Sequence, residues 1–150
     1  MNAPHPTRVR LEPQRTVLSP HMAADVTLAV GVATLADAVF HHEPPTPAEM
    51  ERAIDVVEDA IMATQLQHGA RGELHSSDVL LGQMPGLESD GARLTRDEVE
   101  SLFQRLASAT LGSPNALAGM PANRRSAAAL LILRECMHHL GYESIEMRAA

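Results

Sequence analysis

The sequence predicts an α+β domain that is mainly helical, with about four helices and a few short strands; an all-α bundle is the alternative. Two capping boxes support this prediction, Thr46–Glu49 (Thr-Pro-Ala-Glu) and Thr95–Glu98 (Thr-Arg-Asp-Glu). Each is typical of a helix start, because its side chains satisfy free backbone N–H groups. The third observation is the apolar run Ala127–Leu133, which indicates a central helix.

The composition supports one globular domain. The 150 residues are 45% hydrophobic and 21% charged, as in ordinary globular proteins. The formal net charge of −7 argues against a nucleic-acid partner, because duplex binding relies on a basic face that neutralises phosphates. The lone Cys136 cannot form an internal disulfide, and no stretch has the pattern of a signal peptide or a membrane span. We therefore expect one cytoplasmic domain over residues 1–150, without membrane contact.

The N-terminal segment is polar and rich in proline, which predicts a flexible arm over residues 1–19. Arg8–Leu11 and Thr16–Leu18 are the candidates for short extended pieces within it.

A helix is predicted to follow, from Ser19 to about Phe40. Ser19 offers a capping hydroxyl, and Pro20 suits the first helical position. The residues that follow are apolar on most sides, which is typical of a helix buried by its neighbours. The β-branched residues at 26–34 leave a strand as the alternative there.

The middle of the chain predicts an amphipathic helix and then a loop region. Apolar residues recur at spacings of three and four from Met50 to Ile61, so we expect a helix over about 47–67. Residues 69–94 are rich in glycine, serine and aspartate, which predicts an exposed loop region. Glu73–Leu81 contains a candidate strand.

The C-terminal third predicts two helices and a strand. The first helix begins at the capping box of Thr95. The second runs from about Arg124 to Leu140, with Gly141 as its C-terminal cap. Alternating apolar and acidic residues over Tyr142–Met147 predict a short final strand.

A recognisable order of motifs runs from Leu94 to Met147. It begins with Leu-Thr-Arg-Asp-Glu-Val at 94–99 and continues with Gly-Met-Pro-Ala-Asn-Arg at 119–124. An apolar helix ending in Leu-Gly and a short strand follow. This order resembles the exopolyphosphatase and guanosine-pentaphosphate phosphohydrolase family, which has Leu-Thr-x-Glu-Glu-Val and then Gly-Leu-x-x-x-Arg. The resemblance covers about a third of the chain and implies an actin-like fold related to the family's two ATPase-type domains.

The family's phosphate-binding turns have no counterpart in this sequence. The resemblance implies glycine-rich turns after strands, Asp-x-Gly-Ser and Asp-x-Gly-Gly-Gly-Ser, whose successive backbone N–H groups cradle phosphate. Neither turn occurs here. Ala29–Thr34 is similar to the family's Gly-Gly-Thr loop but lacks the paired glycines. No catalytic residue can therefore be assigned from the resemblance.

Arg124 and Arg125 are the candidate anion-binding residues. They stand at the predicted start of the last helix, where backbone N–H groups favour anions and guanidinium groups add paired donors. The resemblance also implies an arginine in a similar place. An intramolecular ion pair is the alternative.

Histidines and a cysteine suggest a metal site as a second hypothesis, although no cofactor is otherwise expected. Residues 135–139 place Glu-x-x-His and Cys-x-x-His spacings on one predicted helix, and a His-His-Glu run at 41–43 could complete the site. The alternative is a helix end at which histidine favours the dipole, beside a buried thiol. The candidate ligands are His41, His42, Glu135, Cys136, His138 and His139.

The sequence thus predicts a non-catalytic accessory or regulatory protein related to exopolyphosphatases. We expect it to bind a phosphorylated ligand, polyphosphate or a nucleotide, or to form a homo-oligomer. The alternatives are a His/Cys metal-binding protein or enzyme, and a helical module that contacts a partner protein through residues 69–94.

Overall fold

The chain folds around a six-stranded mixed sheet in a computed structural model that describes residues 5–149. The strands are β1 (Thr7–Leu11), β2 (Thr16–Ser19), β3 (Val26–Leu28), β4 (Gly72–Ser76), β5 (Arg93–Thr95) and β6 (Tyr142–Met147). Their order across the sheet is β3-β2-β1-β4-β6-β5. The central pairs β1–β4 and β4–β6 are parallel, and the outer pairs are antiparallel.

Four α-helices are found within residues 5–149: α1 (Val32–Ala38), α2 (Pro47–Ala63), α3 (Arg96–Thr110) and α4 (Arg124–Leu140). Two short 3-10 helices cover Leu81–Gln83 and Pro114–Leu117. Helix α4 packs against each of the other three helices. Its run Ala127–Leu133 is buried, so the central helix expected from that run is present.

The prediction of a mainly helical α+β domain, with an all-α bundle as its alternative, is wrong. The fold is α/β, with 18% of the residues in strands and 43% in helices. The strands are three to six residues long, which is too short for most of them to show a clear alternation of apolar and polar positions.

The segment expected to be an arm contributes a hairpin to the sheet. Strands β1 and β2 contain the two candidate extended pieces and pair in antiparallel fashion. Val9 and Leu18 are each 1% exposed, so the hairpin is part of the core. Of the expected arm, residues 1–4 lie outside the described part of the chain.

The single helix expected from Ser19 to Phe40 is a strand followed by a helix. Strand β3 covers part of the β-branched stretch, as the alternative for that stretch allowed, and α1 begins after Gly31. Residues 69–94 likewise contain β4, a 3-10 helix and β5 rather than only loop. Leu81 and Leu87 are buried there and belong to the hydrophobic core.

Both capping boxes have the expected geometry. In α2, Thr46 Oγ1 accepts a hydrogen bond from the Glu49 backbone N–H at 3.2 Å, and Glu49 Oε1 accepts one from the Thr46 N–H at 2.9 Å. Thr95 and Glu98 bond in the same reciprocal way at the start of α3. These two helix starts and the Gly141 cap of α4 confirm the local predictions.

The sheet has one apolar face and one polar face. Val9, Leu74 and Ile145 alternate toward the core and are at most 1% exposed. Because successive strand residues point to opposite faces, their neighbours lie on the other face. That polar face carries Arg8, Glu73, His75, Arg93, Ser144 and Glu146.

Candidate functional site

A row of charged side chains crosses the polar face of the sheet. Arg8 of β1 is in register with His75 of β4, which is in register with Glu146 of β6. His75 Nε2 lies 2.9 Å from Glu73 Oε1 and 3.5 Å from Glu146 Oε2. The imidazole therefore bridges two carboxylates on neighbouring parallel strands.

Arginines balance these two carboxylates. Arg93 Nε lies 3.2 Å from Glu73 Oε2, and Arg148 is in contact with Glu146. Burial alone would raise the pKa of Glu73, but hydrogen bonds from His75 and Ser144 and the charge of Arg93 outweigh it and lower that pKa. Glu73 therefore stays ionised to a lower pH than an ordinary glutamate side chain.

A basic cavity of about 420 Å³ opens where β4 and β6 end. It contains two guanidinium groups, two imidazoles and several serine hydroxyls, and no carboxylate of residues 5–149 lines it. Arg8 forms no ion pair with any residue of 5–149, so its charge is available to a ligand. The carboxyl ends of parallel strands are where open α/β sheets bind ligands. The lining residues are Pro6, Arg8, Ser19, His21, His75, Ser76, Ser77, Arg148 and Ala149.

The turn between β1 and β2 covers the start of α1. The carbonyl of Glu12 accepts a hydrogen bond from the Val32 N–H at 3.1 Å, and the carbonyl of Pro13 accepts one from Ala33 at 2.8 Å. The N–H of Glu12 is bonded to Arg15, and Pro13 has none. Glu12 and Pro13 therefore offer no free N–H group to a phosphate.

Arg124 and Arg125 lie at the start of α4, away from this cavity's lining. Arg124 Nε is 3.5 Å from Glu43 Oε1, and its Nη1 donates to the Phe40 carbonyl at 3.2 Å. The Arg124 backbone N–H also donates to Glu43, at 3.1 Å. The intramolecular ion pair that the sequence left open is therefore present, while Arg125 is exposed.

The structure brings together two of the candidate metal ligands. Glu135 Oε2 lies 2.8 Å from His139 Nε2, one helical turn away on α4. Glu58 of α2 joins them, with its Oε1 3.3 Å from the same nitrogen. The sequence does not single out Glu58, because nothing in it links this residue to one that lies 81 positions later.

The other candidate ligands lie elsewhere. His138 is exposed beside Glu100 and Arg134. Cys136 is fully buried, and this burial raises the pKa of its thiol to about 12, so it is neither a thiolate ligand nor a nucleophile at neutral pH. His41 and His42 lie in the segment between α1 and α2, where the His41 N–H and the His42 ring both contact the Glu49 carboxylate.

Glu49 holds the start of α2 through several hydrogen bonds. Burial alone would raise its pKa, but donors from the Thr46 backbone, the His42 side chain and the His41 backbone outweigh burial and lower the pKa from 4.5 to about 2. A carboxyl whose pKa is lower in the folded state than in the unfolded state stabilises the fold at pH values above the unfolded-state pKa. This stabilisation is lost as the pH falls toward the folded-state pKa.

We therefore expect Glu49→Gln to lower the free energy of unfolding by about 1 kcal/mol at pH 7, the usual size of a capping contribution. The difference from the unsubstituted protein should shrink as the pH falls from 4.5 toward 2, because both proteins then carry an uncharged side chain. Urea unfolding at several pH values measures it. Glu51→Gln, an exposed site on the same helix, is the control and should change little; an equal loss in both variants would contradict the assignment.

Solved structures of exopolyphosphatases share this fold over most of the chain. The Ppx/GppA enzyme of Aquifex aeolicus aligns with a TM-score of 0.67 and 12% identity, over 95% of this chain and 52% of that chain. An exopolyphosphatase-like protein from structural genomics aligns with a TM-score of 0.68 and 13% identity, over 99% and 57%. An exopolyphosphatase from Cytophaga hutchinsonii gives 0.65 and 12%, over 99% and 54%.

The family resemblance predicted from residues 94–147 is thus confirmed at the level of the fold, and it extends over most of the chain. This chain spans about half the length of those structures. No family model and no curated protein matches the sequence. Within residues 5–149, no helix has the length and apolar character needed to cross a bilayer.

Proposed function

We propose that this protein binds a phosphorylated ligand, polyphosphate or the phosphate chain of a nucleotide, in the basic cavity at the carboxyl ends of β4 and β6. The observation that carries this proposal is the lining of that cavity, in which the described residues combine Arg8, Arg148 and two imidazoles without a carboxylate. Guanidinium groups bind phosphate through paired, charge-assisted hydrogen bonds. The fold shared with exopolyphosphatase structures supports the same ligand class.

The size and charge of the cavity suit such a ligand. Its volume of about 420 Å³ falls within the range of small-molecule sites. An anion at Arg8 would break no ion pair among the described residues, whereas Arg10, two residues along the same face, is already within 3.8 Å of Glu12 and 3.7 Å of Asp25. Because Arg8 has no ion-pair partner among the described residues, an anionic ligand should bind at the cavity in preference to Arg10.

Two features support a non-catalytic role. Phosphoryl transfer needs donors that stabilise the transferred group and a residue that positions the attacking water. The carbonyls of Glu12 and Pro13 occupy the N–H groups of Val32 and Ala33 at the start of α1, and no carboxylate of residues 5–149 lines the cavity to act as a general base. We therefore propose an accessory or regulatory protein that holds its ligand without hydrolysing it.

The start of α4, with Arg124 and Arg125, is the second candidate anion site. Two of its first three N–H groups already have side-chain acceptors, since Asn123 Oδ1 accepts from the Ser126 N–H at 2.8 Å and Glu43 Oε1 accepts from the Arg124 N–H at 3.1 Å. An anion there would have to displace Glu43. This cost is the reason for preferring the cavity.

Thermal melting of untagged protein against a polyphosphate series tests the proposal. We expect a saturable rise in melting temperature, corresponding to about 2.7 kcal/mol of stabilisation at a hundredfold excess over Kd. Arg8→Ala and Arg148→Ala should each weaken binding about tenfold or more, because each removes a charge-assisted contact worth about 1.5–3 kcal/mol. No phosphate release is expected.

The matched control is Arg10→Ala, an exposed arginine on the same face of β1, which should bind like the unsubstituted protein. Loss of binding in Arg124→Ala and Arg125→Ala, with none in Arg8→Ala, would place the site at α4 instead. A flat melting temperature, or phosphate release abolished by a substitution in this chain, would refute the proposal. Light scattering on the same samples tests whether the ligand-binding form is a homo-oligomer.

A further inference from the structure

Glu135 of α4 is a charged side chain that is completely buried, at 0% exposure. Its Oε1 accepts a hydrogen bond from Arg134 Nη1 at 2.6 Å. Among residues 5–149, no donor makes a hydrogen bond to its Oε2, although His139 Nε2 lies only 2.8 Å away. A buried carboxylate oxygen without a donor is costly unless a cation or a proton reaches it.

Three ligand atoms converge at this oxygen. Glu135 Oε2, Glu58 Oε1 and His139 Nε2 all lie within 4.8 Å of one another. Bonds of about 2.0–2.2 Å to a tetrahedral Zn²⁺ place its ligand atoms about 3.3–3.6 Å apart. The 3.3 Å distance between Glu58 Oε1 and His139 Nε2 matches this spacing. The 2.8 Å distance between Glu135 Oε2 and His139 Nε2 would have to increase by about 0.5 Å. His139 is 35% exposed and can make that movement.

The charges around these atoms are not balanced. Arg134 serves two carboxylates, with its Nε 2.7 Å from Glu100 and its Nη1 2.6 Å from Glu135. Counting Glu58, which lies beside His139, the cluster holds three carboxylates and one guanidinium, which leaves an excess of two negative charges. Protonation of His139 would offset one of them, whereas a divalent cation offsets both.

The second group of possible ligands lacks this imbalance. Glu73, His75 and Glu146 also lie close enough to hold an ion. There, however, Arg93 pairs with Glu73 and Arg148 pairs with Glu146, so each carboxylate already has its own cation. Of the two groups, Glu58, Glu135 and His139 are therefore the better candidate for a cation site.

We propose that Glu58, Glu135 and His139 bind a divalent transition-metal ion of the Zn²⁺ type, which ties the C-terminal end of α4 to α2. One imidazole and two carboxylates suit Zn²⁺ better than Mg²⁺, which prefers an all-oxygen shell. Glu58 is 38% exposed, so a water molecule or an external ligand can take the remaining position. The proposal does not depend on phosphate binding on the sheet.

Zn²⁺ titration of the full chain, purified without a histidine tag and followed by competition with a chromogenic chelator, tests this site. We expect one equivalent bound per chain, with no comparable binding of Mg²⁺. Glu58→Gln and His139→Gln should each weaken binding at least about tenfold, since even outer-sphere partners of a metal contribute that much. The control is His138→Gln, the exposed neighbour on the same helix, which should leave the affinity unchanged.

A melting series provides a second readout. At a Zn²⁺ concentration of one hundred times Kd, the ratio of folded to unfolded protein should rise about a hundredfold, and Glu58→Gln should remove the rise. This variant changes a half-exposed residue of α2, so it tests the site even if His139→Gln does not fold. Absence of stoichiometric binding, or equal losses in His138→Gln and His139→Gln, would overturn the proposal.

Discussion

Replacing Gly141 with alanine is expected to lower the free energy of unfolding by about 2–5 kcal/mol. Gly141 ends α4 with φ of +87°, a left-handed conformation that costs other L-residues about 1–2 kcal/mol. An added Cβ would also lie 1.8 Å from the carbonyl oxygen of Gly69. Relieving that overlap costs about 1–3 kcal/mol more, as overpacking usually does.

The neighbouring backbone cannot easily move away from Gly141. The Gly69 N–H donates to the Leu140 carbonyl at 3.3 Å, and the Arg71 N–H donates to the Gly141 carbonyl at 3.1 Å. These bonds lead directly into β4, whose Gly72 is in register with Tyr142 of β6. The alanine would therefore disturb the pairing that places His75 beside Glu146.

Gly119→Ala is the matched control for this prediction. Gly119 has a similar φ of +78°, but an added Cβ would meet no atom within 4 Å. Its loss should be limited to the conformational cost of about 1–2 kcal/mol. Urea unfolding followed by circular dichroism measures both variants, and equal losses would mean that the contact with Gly69 does not constrain the chain.

The sequence predicts the helices of this fold better than the sheet. A helix start such as Thr46–Glu49 is a local device, because its donors and acceptors lie within four residues. Strand pairing is not local: β1 pairs with β4 across some sixty residues of intervening chain. The alternation of Thr7–Leu11 is visible in the sequence, but a run of five residues indicates a strand only once a partner is known.

The same difference of range applies to the candidate sites. Glu135 and His139 share one helix, so their spacing could be seen in the sequence, although the structure pairs residues four apart rather than three. Glu58 comes from another helix and carried no signal. Arg8, His75 and Arg148 line one cavity because three strands lie side by side. The net charge of −7 gives no indication of this local group of basic residues.

Gly31→Ala is expected to destabilise the protein by about 1–3 kcal/mol, entirely through a steric clash. The φ of Gly31 is −131°, which any residue can adopt. An added Cβ, however, would lie 2.3 Å from the Glu12 carbonyl oxygen and 2.5 Å from the Arg15 nitrogen. Both are backbone atoms of the β1–β2 turn, so the turn itself would have to move off the start of α1.

Hydrogen exchange gives this prediction a local readout. The amides of Val32 and Ala33 donate to the turn, so they should exchange faster in Gly31→Ala, while amides in the middle of α4 follow only the global loss of stability. Gly82→Ala is the control, because its Cβ would come no closer than 3.7 Å to any atom.

An unchanged stability and unchanged exchange in Gly31→Ala would have a consequence for function. The turn would then not lie against α1, and its carbonyls would not occupy the N–H groups at that helix start. The case for a non-catalytic role rests partly on that occupation, since a free helix start beside an open turn could accept an anion. A destabilised variant with faster exchange would instead support a turn that packs against the start of α1. The basic cavity on the sheet would then remain the proposed site for a phosphorylated ligand.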